Sequence, residues 1–360
     1  MAISGAARRA FRLAPCAFAI LPLLAACSGG GGGAAAPTVT VTVPASTAPA
    51  SSAPAGTPSG TSSAGGRPGI VAVTTAGALV RIDPTTGDIQ QTLVASGVLG
   101  DEISVSPDQS TIYYAQRSGC DTEIKSISAA GGTPASIAPG QLPAISPDGT
   151  KLAFARQPVL TDAGCMPNQS NLAILFKIDI RTLPAGGDNV LSAPPELQSS
   201  GLFAPISHLS WAADSMRLAV SVASVQDNEG WGLNIVDTSV ARYYVPPGSG
   251  ITSVPVTGSD AQRSYIREGI FLPSGNMFIS RACCGGVPIV NTSRLMWEVG
   301  SSGSLVHQVA LGYPNLEHVS LAASPTGQFL LYIAGSDLYV STNGNTPAKL
   351  TTGVIAATWM

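Results

Sequence analysis

Charge is scarce in this 360-residue chain: 18 basic and 21 acidic side chains make up 11% of it, with a formal net charge of −3. After the first dozen residues Lys and Arg never cluster, so the chain lacks the electrostatic footprint of a nucleic-acid partner. Beyond residue 26 no apolar run is long enough to span a bilayer. Only three histidines are available as bases or ligands. The sequence has no HExxH pair, no DxDxDG loop, no phosphate-cradling glycine loop and no GxSxG elbow. It therefore assigns no catalytic residue, no metal site and no cofactor, and the expectation is a protein that is not an enzyme.

What the chain does carry begins with an export signal. Arg8, Arg9 and Arg12 form a positive start, and Phe11 to Leu24 is largely apolar but too short for a membrane span. Leu24-Ala25-Ala26-Cys27 then resembles the lipobox of bacterial lipoproteins. That resemblance implies cleavage before Cys27 and diacylation of its thiol, so residues 1–26 are expected to be discarded. The mature protein is then expected in the cell envelope, held by lipid on the extracytoplasmic side of a membrane, and three units more negative. Residues 27–68 contain no acid and no aromatic and are dominated by Gly, Ala, Pro, Ser and Thr. Such a segment buries too little apolar surface to offset its ordering entropy, so it reads as a disordered tether.

Residues 69–360 follow one repeating element. In Ile145 to Arg156 a short apolar run meets Ser146-Pro147-Asp148-Gly149 and a second apolar run leaves it. Pro presets φ, Asp bonds back to the backbone and Gly accepts a left-handed conformation, so the stretch reads as a β-hairpin. Equivalent turns begin at Ser106, Ala212, Leu272 and Ser324, at spacings of 40 to 66 residues. Around each turn four short strands can be read, which predicts the blades of a β-propeller. Ile70–Val73, Ala78–Ile82 and Ile89–Leu93 form a blade lacking its first strand, and Val354–Trp359 forms a first strand with nothing after it. Pairing the two ends would close a ring of six and remove the exposed sheet edges. The expectation is an all-β, six-bladed propeller closed by its C-terminal strand.

Ser-Pro-Asp-Gly followed by Lys151-Leu152-Ala153-Phe154 resembles the TolB-type, WD-like propeller repeat; Ser106–Gln116 and Ser324–Ala334 match it less fully. The resemblance covers most of residues 70–360 and implies the six-bladed fold, while the same turn signature serves proteins of many functions. A binding or scaffold module is the function it favours. A channel-centred metal-dependent hydrolase or lactonase is the alternative.

In each blade the strands are named A to D, with the repeated turn joining A to B. The longest B–C connections, Gln157–Asn171, Ala223–Trp231 and Ala282–Ser293, should gather on one face of the disc, where rigid strands would present them for recognition. The starts of the A strands should line the channel mouth on that face, bringing Asp101, Glu102, Gln141, His208, Arg267, Glu268, Glu317 and His318 together. Trp231 is the expected anchor, because tryptophans are enriched among interface hot spots. The partner on this face is expected to be an envelope protein or a small polar ligand. Of the cysteines that survive processing, Cys120 and Cys165 lie in B–C connections of consecutive blades and are expected to pair. Adjacent Cys283 and Cys284 leave a vicinal disulfide or two free thiols as alternatives.

Overall fold

The turn at Ser146 shows how local chemistry builds a blade. The Gly149 N–H donates to the Ser146 carbonyl at 2.8 Å, and Gly149 takes φ 72°. Ser146 Oγ accepts the Lys151 N–H at 2.9 Å and donates to Asp148 Oδ1, which also accepts the Thr150 N–H at 2.9 Å. Burial works to raise the Asp148 carboxyl, but the Ser146 and Thr150 donors and nearby Lys151 outweigh it and hold it below the usual range. Ser106 and Asp108 repeat this network, with the Ser106 hydroxyl the main group depressing the Asp108 carboxyl. Ala212 cannot, having no hydroxyl; there Asp214 Oδ1 accepts the N–H groups of Met216 and Arg217 at 2.9 and 3.0 Å.

The computed structural model of the chain describes residues 67–156, 177–184, 186–192, 206–222, 232–240, 242–244, 264–283, 295–300, 305–309, 321–343 and 347–360. These form strands and turns and contain no helix. Blade 1 contributes β1 (Ile70–Thr74), β2 (Leu79–Ile82) and β3 (Ile89–Val94). Blade 2 is β4 (Val98–Val105), β5 (Thr111–Ser118), β6 (Asp121–Ser128) and β7 (Ala135–Pro139). Blade 3 is β8 (Gln141–Ile145), β9 (Lys151–Arg156), β10 (Lys177–Thr182) and β11 (Asp188–Ser192). Blade 4 is β12 (Ile206–Trp211), β13 (Arg217–Val222), β14 (Gly232–Asp237) and β15 (Arg242–Tyr244). Blade 5 is β16 (Ser264–Phe271), β17 (Met277–Cys283), β18 (Leu295–Val299) and β19 (Leu305–Val309). Blade 6 is β20 (Leu321–Ala323), β21 (Phe329–Ala334), β22 (Asp337–Thr342) and β23 (Ala348–Thr352), and β24 (Val354–Trp359) follows.

Each blade is a four-stranded antiparallel sheet, and the first is completed across the ends of the chain in the order β24-β1-β2-β3. Ile70 pairs with Trp359 and Val73 with Ala356, so the expected closure is what the chain adopts. Arg67, assigned above to the tether, donates from Nη1 to the Pro84 carbonyl at 3.0 Å and already belongs to the propeller.

The core lies between blades. Six apolar clusters form among the described residues, and each joins two consecutive blades: one of them packs Phe329, Leu331 and Val340 of blade 6 on Ile70, Ala72 and Trp359 of blade 1. All six interfaces around the ring are therefore apolar, and the same driving force that builds each blade pair seals the last one.

One contact recurs at three of the blade interfaces. The side chain five residues after the start of a turn packs on the side chain just before the next blade's turn. Lys151 Nζ lies 5.8 Å from the Trp211 ring centre, Arg217 sits 5.7 Å over Phe271, and the Phe329 and Trp359 rings are 5.8 Å apart. Both tryptophans also donate Nε1–H to the preceding blade, Trp211 to the Ala144 carbonyl at 2.9 Å and Trp359 to the Ala322 carbonyl at 3.1 Å.

Candidate binding site at the channel

The A strands β24, β4, β8, β12, β16 and β20 are the innermost strands of the six blades. Antiparallel pairing sets the beginning of each beside the end of strand B: Gln141 faces Ala155, and Ile206 faces Val222. The long B–C connections thus leave the ring on the face where the A strands begin.

The A strands carry a shared irregularity that no residue type advertises. In β12 the ladder skips Ser207, in β16 it skips Arg267, and in β24 it skips Ile355, each five residues before the position where the turn begins. Such a bulge re-aims the residue that follows. In β12 that residue is His208, and Glu102 of β4 and Glu268 of β16 hold the same position relative to their turns. The alternation of the strand then brings the position two residues further on into the same lining.

A cavity of about 190 Å³ results, lined by residues of all six inner strands. Glu102 and His208 form one level of it; Ser104, Ala144, Ser210, Ile270, Ala322 and Thr358 form the next. Glu102 Oε2 accepts the Leu209 N–H at 3.1 Å and stands 3.7 Å from His208 Nδ1. This links blade 2 to blade 4 across the inner edge of blade 3. Burial pushes the His208 imidazole down to about 4, so it is neutral at pH 7. Ser104 Oγ accepts the Ile145 N–H at 2.9 Å and Ser210 Oγ the Phe271 N–H at 3.0 Å, stitching adjacent inner strands together at the second level.

The expected mouth residues divide accordingly. Glu102 and His208 come together, as their strand positions suggest. Asp101 is on β4 and Arg267 and Glu268 on β16, where the backbone places them beside the mouth. Gln141 departs from expectation: it is buried and absent from the cavity lining, since the inner end of β8 turns at Leu142, which has φ 58°. Glu317, His318 and Trp231 lie outside the described residues, as do most of the three long connections. Cys120 occupies the tight β5–β6 turn and is disulfide-bonded, whereas Cys27, Cys165 and Cys284 are outside the described residues and only the backbone of Cys283, at the end of β17, is described. Among the described residues no group of three or more His, Cys, Asp or Glu side chains could hold a metal ion.

The sequence reading misses Trp211, the aromatic beneath the channel wall, and the second-level serines. The signal for Trp211 was its place before the turn, shared with Phe271 and Trp359.

The geometry defines a six-bladed β-propeller with a polar pair at one level of its channel. No family model and no curated protein matches the sequence. Solved structures do match in shape. A nidogen/laminin complex aligns with TM-score 0.52 at 9% identity, over 81% of this chain and 97% of that one. A TolB from Agrobacterium tumefaciens aligns with TM-score 0.49 at 13% identity, over 80% and 90% of the two chains. The Cps50 (Swd1) β-propeller domain of Myceliophteria thermophila gives 0.43 at 14% identity, over 81% and 83%. At such identities the likeness concerns fold alone.

Proposed function

We propose that this chain is an exported, lipid-anchored binding or scaffold module that recognises its partner at the channel mouth, on the face from which the long B–C connections leave. The observation that supports it best is the cavity itself, a concave site where Glu102 and His208 meet an apolar and hydroxyl-bearing wall supplied by six rigid strands. Sites that combine an apolar lining with a few convergent polar groups are the usual form of a ligand pocket. The partner is an envelope protein or a small polar ligand, and the tether of residues 27–66 gives the propeller reach from the membrane. A Cys120–Cys165 disulfide joining blades 2 and 3 fits the same oxidising setting.

Capture from native membranes with the full lipidated chain tests the reading. Partner binding should weaken in His208→Ala and persist in Ser146→Ala on the turn face, both variants retaining their melting transition. Loss confined to the turn-face variant would place recognition on the opposite side of the disc. Anchoring has its own test: Cys27→Ala should leave the protein uncleaved or release it from membranes, and unchanged processing and fractionation would exclude the lipid. Non-reducing peptide mapping checks the disulfide.

A further inference from the structure

The second level of the channel also selects a class of ligand, an inference that rests on the channel being the recognition site. We propose that this level takes a neutral carbonyl group, a ketone or an amide, carried on a small apolar body. Three observations carry it.

The first is that the level is a complete ring. Its six positions, Thr358, Ser104, Ala144, Ser210, Ile270 and Ala322 of blades 1 to 6, are all described, all line the cavity, and none can ionise. An ion brought to this level would shed water against a ring with no counter-charge, which is costly. A neutral polar group sheds far less.

The second is hydrogen bonding. Ser104 Oγ and Ser210 Oγ each accept a backbone N–H from the next inner strand, from Ile145 at 2.9 Å and from Phe271 at 3.0 Å. Each hydroxyl keeps its own O–H to donate, and no described residue accepts it. Thr358 Oγ1 makes no hydrogen bond among the described residues. A hydroxyl that already accepts one bond becomes a better donor of the next. The ring therefore offers chiefly donors, the complement of a carbonyl oxygen with its two lone pairs.

The third is the arrangement of the ring and its size. The three hydroxyls belong to blades 1, 2 and 4, whereas neighbouring blades 5 and 6 present Ile270 and Ala322. A ligand that turns its oxygen to the hydroxyls thus lays its apolar body on one continuous arc. An apolar cavity of about 150 Å³ suffices for benzene, so 190 Å³ admits a small ring or a short chain.

The same chemistry has two sources, a free ketone or amide and the side-chain amide of a partner protein. Titration of the mature chain, followed by amide chemical shifts, tests it with cyclopentanone, N,N-dimethylacetamide, cyclopentylammonium and cyclopentanecarboxylate. A capped Gly-Gln-Gly peptide separates the sources. The neutral carbonyl compounds, or the peptide, should shift the Ile145 and Phe271 amides, whose N–H groups end on the two serine hydroxyls. Thr358→Val keeps the shape and removes a donor that holds no described partner, so it should stay folded and weaken binding roughly two- to tenfold, the worth of one hydrogen bond. Ala322→Leu fills the apolar arc without touching a hydroxyl and should abolish binding independently. Charged analogues binding as tightly as cyclopentanone, no shift at Ile145 and Phe271 in any arm, or an unchanged affinity in both variants would each overturn the proposal. A captured partner that perturbs Glu102 and His208 while Ile145 and Phe271 stay silent overturns this inference and leaves the recognition face standing.

Discussion

His208 shows what a single residue reveals about the inside of the ring. Its imidazole is buried against the carboxylate end of Glu102, yet burial dominates and holds it down to about 4, against 6.5 for an ordinary histidine. The unfolded chain therefore binds a proton that the folded chain refuses between these values. Stability from this group is fully present above pH 6.5 and is lost as pH falls toward 4, by up to about 3 kcal/mol. Asp179, buried on β10 beside Arg156, has the opposite sign: burial raises its carboxyl, so its contribution falls as pH rises through the folded value. The difference between the wild type and His208→Asn isolates the histidine. The variant should lose less stability between pH 7 and pH 5, measured by urea denaturation at each pH. Parallel losses in the two proteins would mean that His208 is not held neutral. The sequence marks His208 as a mouth residue because it stands at the start of a strand before a turn. It does not reveal the burial, which depends on neighbours far off in the chain, Glu102 of blade 2 among them.

At the scale of the element, strand positions are legible because Ser-Pro-Asp-Gly turns punctuate the chain. The bulges are not, since Ser207, Arg267 and Ile355 share no chemistry that would mark them; their common feature is a gap in the ladder. The inter-blade rule lies between these cases. Its spacing is visible in the sequence, but a lysine, an arginine and a phenylalanine occupy one side of it, so no single residue type signals it. Trp211 tests it well, as it belongs to the blade 3–blade 4 cluster and donates to the Ala144 carbonyl. Trp211→Ala should cost about 3–5 kcal/mol, the usual range for truncating a buried aromatic. Equilibrium denaturation checks this, and a cost below about 1 kcal/mol would show that the rule is packing without consequence. Lys151→Met should cost far less, because the stem still covers the ring while the bond from Nζ to the Ser215 carbonyl at 2.8 Å is lost.

At the scale of the whole molecule, closure follows from two incomplete ends. Ring membership was readable in advance because three strands at one terminus and one at the other complete a blade. Deleting Val354–Trp359 would expose the edge of β1 and strip Trp359 from Phe329. Such a truncation should aggregate or lose its cooperative melt by differential scanning calorimetry; an unchanged transition would contradict closure. Function is less legible than fold because the turn signature builds blades of any purpose, while the channel is assembled from residues as far apart in sequence as Glu102 and Thr358. Chemical-shift mapping of the mature propeller against the partner captured from membranes addresses the claimed recognition face most directly. The account predicts perturbed amides at Glu102, Ile103, His208 and Leu209 and unchanged amides at Asp108, Asp148 and Thr326 in the A–B turns. Perturbations confined to those turns, with the inner strands silent, would contradict it.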